Sequence, residues 1–258
     1  MKQKKTKRIK TFKKSRFFGL FKMIGSLFMR KCKLTLPEGG IPEQAIFLTT
    51  HGIKPLFGIM KNELSMPKDL PFVTIGAHEL CNPYFKRLRY GLNIHYRMRN
   101  GWGPVTAFLW SAIVAVPLGM MYKMARVIPS YRDFRSIRTM KTSFQALDQG
   151  YSIMLYPEDL EHLYNNVYLK FLPGFVTLAQ LYHKKTGKDI PVVPCYFSYQ
   201  FNRIIIDKPV SVIKMLEEGK TREEIAEFFR IKVNGLYEQH IQPVVRAREA
   251  KYAGYNDA

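Results

Sequence analysis

Two short stretches hold the residues best placed to do chemistry. In AIFLTTHGIKP (residues 45–55) an apolar run ends on His51, and Gly52 and then Pro55 follow, the pattern of a strand that turns into a helix. A histidine at such a strand end, close to a helix N-terminus, tends to stay neutral and so suits a general base. In SIMLYPEDLEH (residues 152–162) a second apolar run ends on Glu158, Asp159 and Glu161. Open α/β sheets bind ligands at the carboxyl ends of their strands, which makes this acidic turn a candidate substrate-binding turn. Two other readings stand beside it: a solvated acidic turn, and a metal site from Glu158, Glu161 and His162, a cluster short of partners for that role. No acidic residue follows His51 closely in the chain to orient its ring. His78, in GAHEL, and His95, in NIHYRMR, have neither nucleophile nor ligand spacing and read as structural. Cys32, Cys81 and Cys195 are odd in number, far apart and without a CxxC pair, which points to a reducing compartment and to no zinc site.

The elements that would position these residues are legible as alternating patterns. Short runs rich in Val, Ile and Phe at 45–50, 71–77, 152–156, 191–198 and 203–207 read as strands, and longer helical patterns at 55–64, 82–91, 134–149, 173–186 and 221–240 separate them. This alternation implies an α/β fold, a single mixed sheet covered by helices. Within 134–149, Phe134, Ile137, Met140, Phe144 and Leu147 lie near one face and Gly150 supplies the stop. Thr221 and Glu224 have the spacing of a capping box.

With 258 residues, 47% of them hydrophobic, the chain can bury one sizeable core. The expected division is an attachment at 1–33 and one α/β domain at 34–258. The formal net charge of +21 is unevenly placed: residues 1–33 hold 13 Lys and Arg and no acid, leaving 28 basic against 20 acidic residues elsewhere. Such a polybasic arm fits nucleic acid or an anionic membrane surface, and charge alone admits both; no nucleic-acid-binding module accompanies it. After the basic run, Phe17, Leu20, Phe21, Ile24, Leu27 and Phe28 fall on one helical stripe, with Lys22, Ser26, Arg30 and Lys33 largely off it. A basic amphipathic helix of this kind suits a lipid headgroup layer, and a helix packed on the domain is the alternative. Lys22 interrupts the apolar run and no small-residue cleavage site follows, so a cleaved signal peptide is not expected.

A second apolar segment, residues 104–122, runs 19 residues without a charge inside an insertion at about 99–126. Its length would cross a bilayer, but one crossing would put the strands before and after it on opposite sides. Pro117 and Gly119 also weaken a straight helix. The leading expectation is a re-entrant or surface-embedded hairpin, followed by a buried core element.

Taken in order, these blocks resemble the glycerolipid acyltransferase family, whose best known members acylate lysophosphatidic acid. The likeness runs from about residue 45 to 240. AIFLTTHGIKPLFGIM is similar to the family's first block, in which a strand ends in Asn-His and an Asp follows after four intervening residues. LPFVTIGAHELCNPYFKRLRYG resembles the next strand and helix. FRSIRTMKTSFQALDQGYSIMLYPEDLEH is similar to the region that ends in Phe-Pro-Glu-Gly-Thr-Arg-Ser. FLPGFVTLAQLYHKKTGKDIPVVPCYFS and IIIDKPVSV resemble the last blocks. His51, Pro157, Glu158, Gly174 and Pro194 match directly. Thr50 stands where the family has Asn, Leu56 where it has the Asp, Asp159 where it has Gly, and Glu161 where it has Arg.

The resemblance implies that His51 takes a proton from an acceptor hydroxyl, which attacks the thioester of acyl-CoA or acyl carrier protein without a further cofactor or metal. The family Asp orients the imidazole. Leu56 cannot do so; either another group orients His51, or the chain is slow or inactive. Pro157, Glu158, Asp159, Glu161 and Gly174 would bind substrate, and the family's phosphate-binding Arg corresponds to Arg132 or Arg135. The function implied is acyl transfer to a lipid acceptor at the cytoplasmic face of a membrane. The acceptor is expected to be atypical, because Glu161 reverses a charge that holds phosphate. The alternative is a non-catalytic descendant that binds lipid or a protein partner.

Overall fold

The computed structural model describes residues 11–51, 55–67, 69–99, 101–131, 133–159 and 166–247; for residues 28, 55–58 and 99 it describes the backbone alone. The elements follow as α1 (Arg16–Phe28), β1 (Lys33–Thr35), β2 (Ile46–Leu48), α2 (Pro55–Ser65), β3 (Phe72–Ala77), a 3₁₀ turn (His78–Cys81), α3 (Tyr84–Tyr90) and a π-helical continuation (Gly91–Arg99). Then come α4 (Pro104–Met124), β4 (Ile128–Ser130), α5 (Ser136–Asp148), β5 (Ser152–Leu155), α6 (Gly174–Thr186), β6 (Val192–Ser198), β7 (Arg203–Ile206), α7 (Val212–Glu217) and α8 (Arg222–His240).

The strands form one mixed sheet in the order β1-β7-β6-β2-β5-β3-β4. β6, β2, β5, β3 and β4 run parallel; β7 is antiparallel to β6, and β1 lies parallel to β7. Alternate residues of a strand point to opposite faces, and both faces here are covered, so the central strands are apolar throughout. Ile46, Leu48, Ile153, Val192, Tyr196 and Ile205 pack with α5, α6 and α8 through Leu147, Phe175, Val176 and Phe229. Phe47, Met154, Val193, Cys195 and Phe197 face the other side with Cys32 and Met66. A third cluster, Phe18, Ile59, Met121, Tyr122 and Val127, joins α1, α2 and the end of α4 on that second side.

The capping box at the start of α8 is formed in both directions: Thr221 Oγ1 accepts from the Glu224 amide at 3.2 Å, and Glu224 accepts from the Thr221 amide at 2.7 Å. α5 differs from expectation. It begins at Ser136, so Phe134 precedes it and is exposed, as is Ile137. Its inner face is made by the small residues Thr139, Ser143 and Ala146 with Leu147, which lets the helix approach the sheet closely.

The apolar segment is not a hairpin. α4 continues through Pro117 as one helix, and the chain reverses before it, with residues 101–103 leading into the helix. α3 and its π-helical continuation form the other arm of the pair. Arg87 Nε donates to the Ala115 carbonyl at 2.8 Å, and the Tyr84 hydroxyl donates to the Ala112 carbonyl at 3.4 Å. These donors reach the backbone near the proline, so a break expected of an isolated helix is not made. Gly119 faces the Arg87 guanidinium, where any Cβ would collide with it. The helix that the sequence reading judged weakened by Gly119 is therefore packed through it.

The N-terminal stretch, expected as an attachment, is built into the body from Phe12 onward. Phe12 is fully buried beside Tyr151, with ring centroids 6.0 Å apart. The Ser15 amide donates to the Met124 carbonyl at 3.1 Å, and Lys33, the expected last residue of the arm, opens β1. Residues 1–10 of the polybasic run lie outside the described residues.

Candidate active site

β2 and β5 are parallel neighbours, and Leu48 pairs with Leu155. Three residues beyond each of these partners, the chain reaches His51 and Glu158. The two connections cross in the sheet order, β2 through α2 past β5 to β3 and β5 through α6 past β2 to β6, and they leave on opposite faces, α2 with the third cluster and α6 with the first. Loops that part to opposite faces open a crevice at the carboxyl ends of the two strands.

In that crevice Glu158 holds His51 twice. Its Oε1 accepts from the His51 backbone N–H at 2.6 Å, and its Oε2 lies 2.9 Å from Nδ1. The His51 side chain is 15% exposed and that of Glu158 5%, so the pair is shielded but the imidazole is reachable. A carboxylate accepts only, so Nδ1 carries its proton toward Glu158 and Nε2 is the basic nitrogen. The orienting group that Leu56 cannot supply therefore comes from the acidic turn. Leu56 itself lies in the first turn of α2.

Tyr156 and Asn62 also belong to this arrangement, although neither was singled out in the sequence. The Tyr156 ring lies over the imidazole with centroids 4.0 Å apart and planes 30° from parallel. Asn62 Nδ2 donates to the Tyr156 hydroxyl and to Thr49 Oγ1, both at 3.2 Å. Burial, reinforced by the Glu158 and Glu63 carboxylates and partly offset by Asn62, raises the Tyr156 phenol well above its ordinary pKa, so the ring stays neutral. Thr50 Oγ1 accepts from the Phe197 amide at 3.0 Å and ties the end of β2 to β6. A Tyr before Pro-Glu at a strand end was the available signal for Tyr156; Asn62 gave none.

The acidic turn is clamped from behind. The Leu172 amide donates to the Pro157 carbonyl at 2.8 Å and the Asp159 amide to the Lys170 carbonyl at 3.1 Å. Asp159 is buried and lies 3.3 Å from Lys170 Nζ. Gly174, two residues past Leu172, opens α6. A Cβ there would meet nothing within 4 Å, so packing does not demand glycine. Gly174→Ala is expected to raise stability by about 0.5 kcal/mol, read as a slightly higher Tm; a clear fall in Tm would show a packing role.

Arg135 lies between β4 and α5, and β4 is three strands from β2 in the sheet. Its guanidinium lies 2.7 Å from Asp133 and 4.5 Å from the Tyr131 ring centroid. Arg132, Glu161 and His162 lie outside the described residues, as does Gly52. His78, at the end of β3, is 3.2 Å from Glu79 and stacks near Tyr131, while His95 is buried beside Tyr96. Among the described residues no group of three or more His, Cys, Asp or Glu is arranged to hold a metal ion. No known protein-family model matches the chain, and no curated protein does either.

Proposed function

We propose that the chain transfers an acyl group from acyl-CoA or acyl carrier protein to a lipid acceptor, with His51 as general base and Glu158 as the carboxylate that orients it. The observation that carries this reading is the double hold of Glu158 on His51 at the carboxyl ends of adjacent parallel strands. Nε2 takes the proton of an acceptor hydroxyl as its oxygen attacks the thioester carbonyl. Glu158 stabilises the imidazolium that forms. Collapse of the tetrahedral adduct breaks the carbon–sulfur bond, and the imidazolium returns the proton to the departing thiolate. The products are an ester and a free thiol. Pro157, Asp159 and Gly174 are proposed to contact the substrate.

The acceptor is proposed to present a hydroxyl or amine with no free phosphate monoester at this turn. Lys170, which stands beside this turn, is already paired with Asp159, 3.3 Å away. The three cysteines are free thiols, which agrees with the cytoplasmic face of a membrane as the place of action. The test is a screen of the purified protein with labelled acyl-CoA and acyl carrier protein against lysophosphatidic acid, glycolipids, aminolipids and neutral lipids. Acylation of a phosphate-free acceptor is expected. Preference for lysophosphatidic acid would overturn the acceptor assignment. Absence of transfer to every acceptor would leave a lipid-binding or partner-binding fold without catalysis.

A further inference from the structure

α4 is packed on one side along its whole length. Ala107, Ser111, Ala115, Met121 and Tyr122 are buried, and α3 and its π-helical continuation lie against them. The opposite side, through Val105, Leu109, Ile113, Val116 and Met120, is apolar and exposed, with Ile113 at 65%. Beside it α1 turns Phe18 into the core and leaves Phe17, Leu20, Ile24 and Leu27 outward, Leu27 at 78%. Four residues of the stripe read from the sequence of α1 therefore point away from the fold, while Phe21 packs against the third cluster. Monomeric soluble proteins rarely leave such large contiguous aliphatic faces uncovered.

The charge of the chain falls on the same two segments. Residues 1–37 hold 13 Lys and Arg and no acid, and residues 80–132 hold 8 and no acid. These 21 cations equal the whole formal net charge of +21, because the remaining residues carry 20 basic and 20 acidic side chains. Arg16, Arg30, Arg89, Arg97, Lys123 and Arg126 are exposed along α1 and the α3–α4 pair. An apolar face on two segments that carry cations and no acid matches a bilayer with anionic headgroups. Two copies of this face would bring like charges together, which disfavours self-association through it.

We propose that the outer faces of α1 and α4 together form a docking surface that lies flat in the interfacial layer of an anionic membrane. Lying flat follows from three features. α1, at 13 residues, is about 20 Å long and cannot cross a hydrocarbon core of about 30 Å. α4 is 21 residues long and suffices by length and composition alone, but protein covers one side of it from end to end. Arg97 and Arg99 stand next to the turn that joins the two arms, so insertion of that turn would carry cations into hydrocarbon. Both tryptophans, Trp102 and Trp110, sit at the N-terminal end of α4 and are exposed, as interfacial aromatic anchors are.

The two tryptophans also supply the test. Full-length protein is mixed with vesicles of phosphatidylcholine, with and without phosphatidylglycerol, and followed by tryptophan emission and by co-sedimentation. Expected are a blue shift and sedimentation with the anionic vesicles only. Ile113→Asp and Leu27→Asp, both at exposed positions, are each expected to weaken binding at least tenfold while leaving the melting curve unchanged. Binding of the variants equal to that of the wild type would overturn the surface. So would a salt-sensitive binding without an emission shift, which marks charge alone, as for nucleic acid. A dimer in solution that Ile113→Asp dissociates would assign the face to a second copy instead. None of these readouts depends on acyl transfer.

Discussion

Glu158→Gln is expected to lower kcat by about 10⁴ while leaving KM and the melting temperature nearly unchanged. The reason lies in the two hydrogen bonds. Glu158 faces two donors on one residue, the His51 backbone N–H at 2.6 Å and the ring Nδ1 at 2.9 Å. A glutamine oxygen can still accept from the backbone N–H. Its amide nitrogen then faces Nδ1 and donates to it, which moves the ring proton to Nε2. Every buried group keeps a partner, so the fold should persist. The nitrogen that faces substrate is no longer a base, so turnover is lost. His51→Ala should remove at least as much activity. Steady-state kinetics beside a thermal melt of each variant checks this, and a Glu158→Gln enzyme within tenfold of the wild type would show that the pair is structural.

A comparably large effect on stability is expected from Lys14→Met. Glu63 of α2 is 2% exposed, and the 23%-exposed Lys14 ammonium lies 2.5 Å from its carboxylate. Thr74 also donates to Glu63, at 3.3 Å, and Lys14 sits 3.8 Å from the centroid of the Phe72 ring. Methionine keeps most of the packing on Phe72 but leaves a buried carboxylate with one hydroxyl donor. Removing one partner of a buried pair costs about 3 kcal/mol, and the partial exposure of Lys14 lowers this to about 2 kcal/mol. For a chain of this size that is a fall in Tm of roughly 4–8 °C. Adding Glu63→Gln should restore part of the loss, because no unpaired charge then remains. An unchanged Tm in Lys14→Met would mean that the N-terminal segment is not anchored through this contact.

The fold was readable where residues repeat with a period, and hidden where elements are short. The strands read at 152–156 and 191–198 match β5 and β6 within a residue at each end, because both are apolar on both faces. β1 and β4 have three residues each, Lys33–Thr35 and Ile128–Ser130, too few to show alternation, and they went unread. α7 was also missed, at six residues. In the candidate site, His51 and Glu158 were each singled out from their place at a strand end. Their contact was not, because 107 positions separate them and nothing local reveals that β2 and β5 are neighbours. Leu56 appeared to leave the histidine without a carboxylate, when strand order supplies one. The segment 104–122 shows the converse: its Pro and Gly were weighed as local breakers, whereas Arg87 and Tyr84 on α3 decide the outcome.

β1 occupies one edge of the sheet and pairs only with β7, Lys33 opposite Arg203. Those residues are 170 positions apart. At the usual rate of synthesis, roughly 5–20 residues per second, Lys33 leaves the ribosome some 10–30 s before its partner exists. During that interval α1, just upstream, is also without α4, which is made later in the chain. Its aliphatic stripe and its cations thus reach the surroundings first and alone, so a nearby anionic bilayer can engage the nascent chain well before the sheet closes. Synthesis on membrane-bound and on free ribosomes should then differ in yield of soluble folded protein, a difference set by the order in which the edge strand and its partner are made.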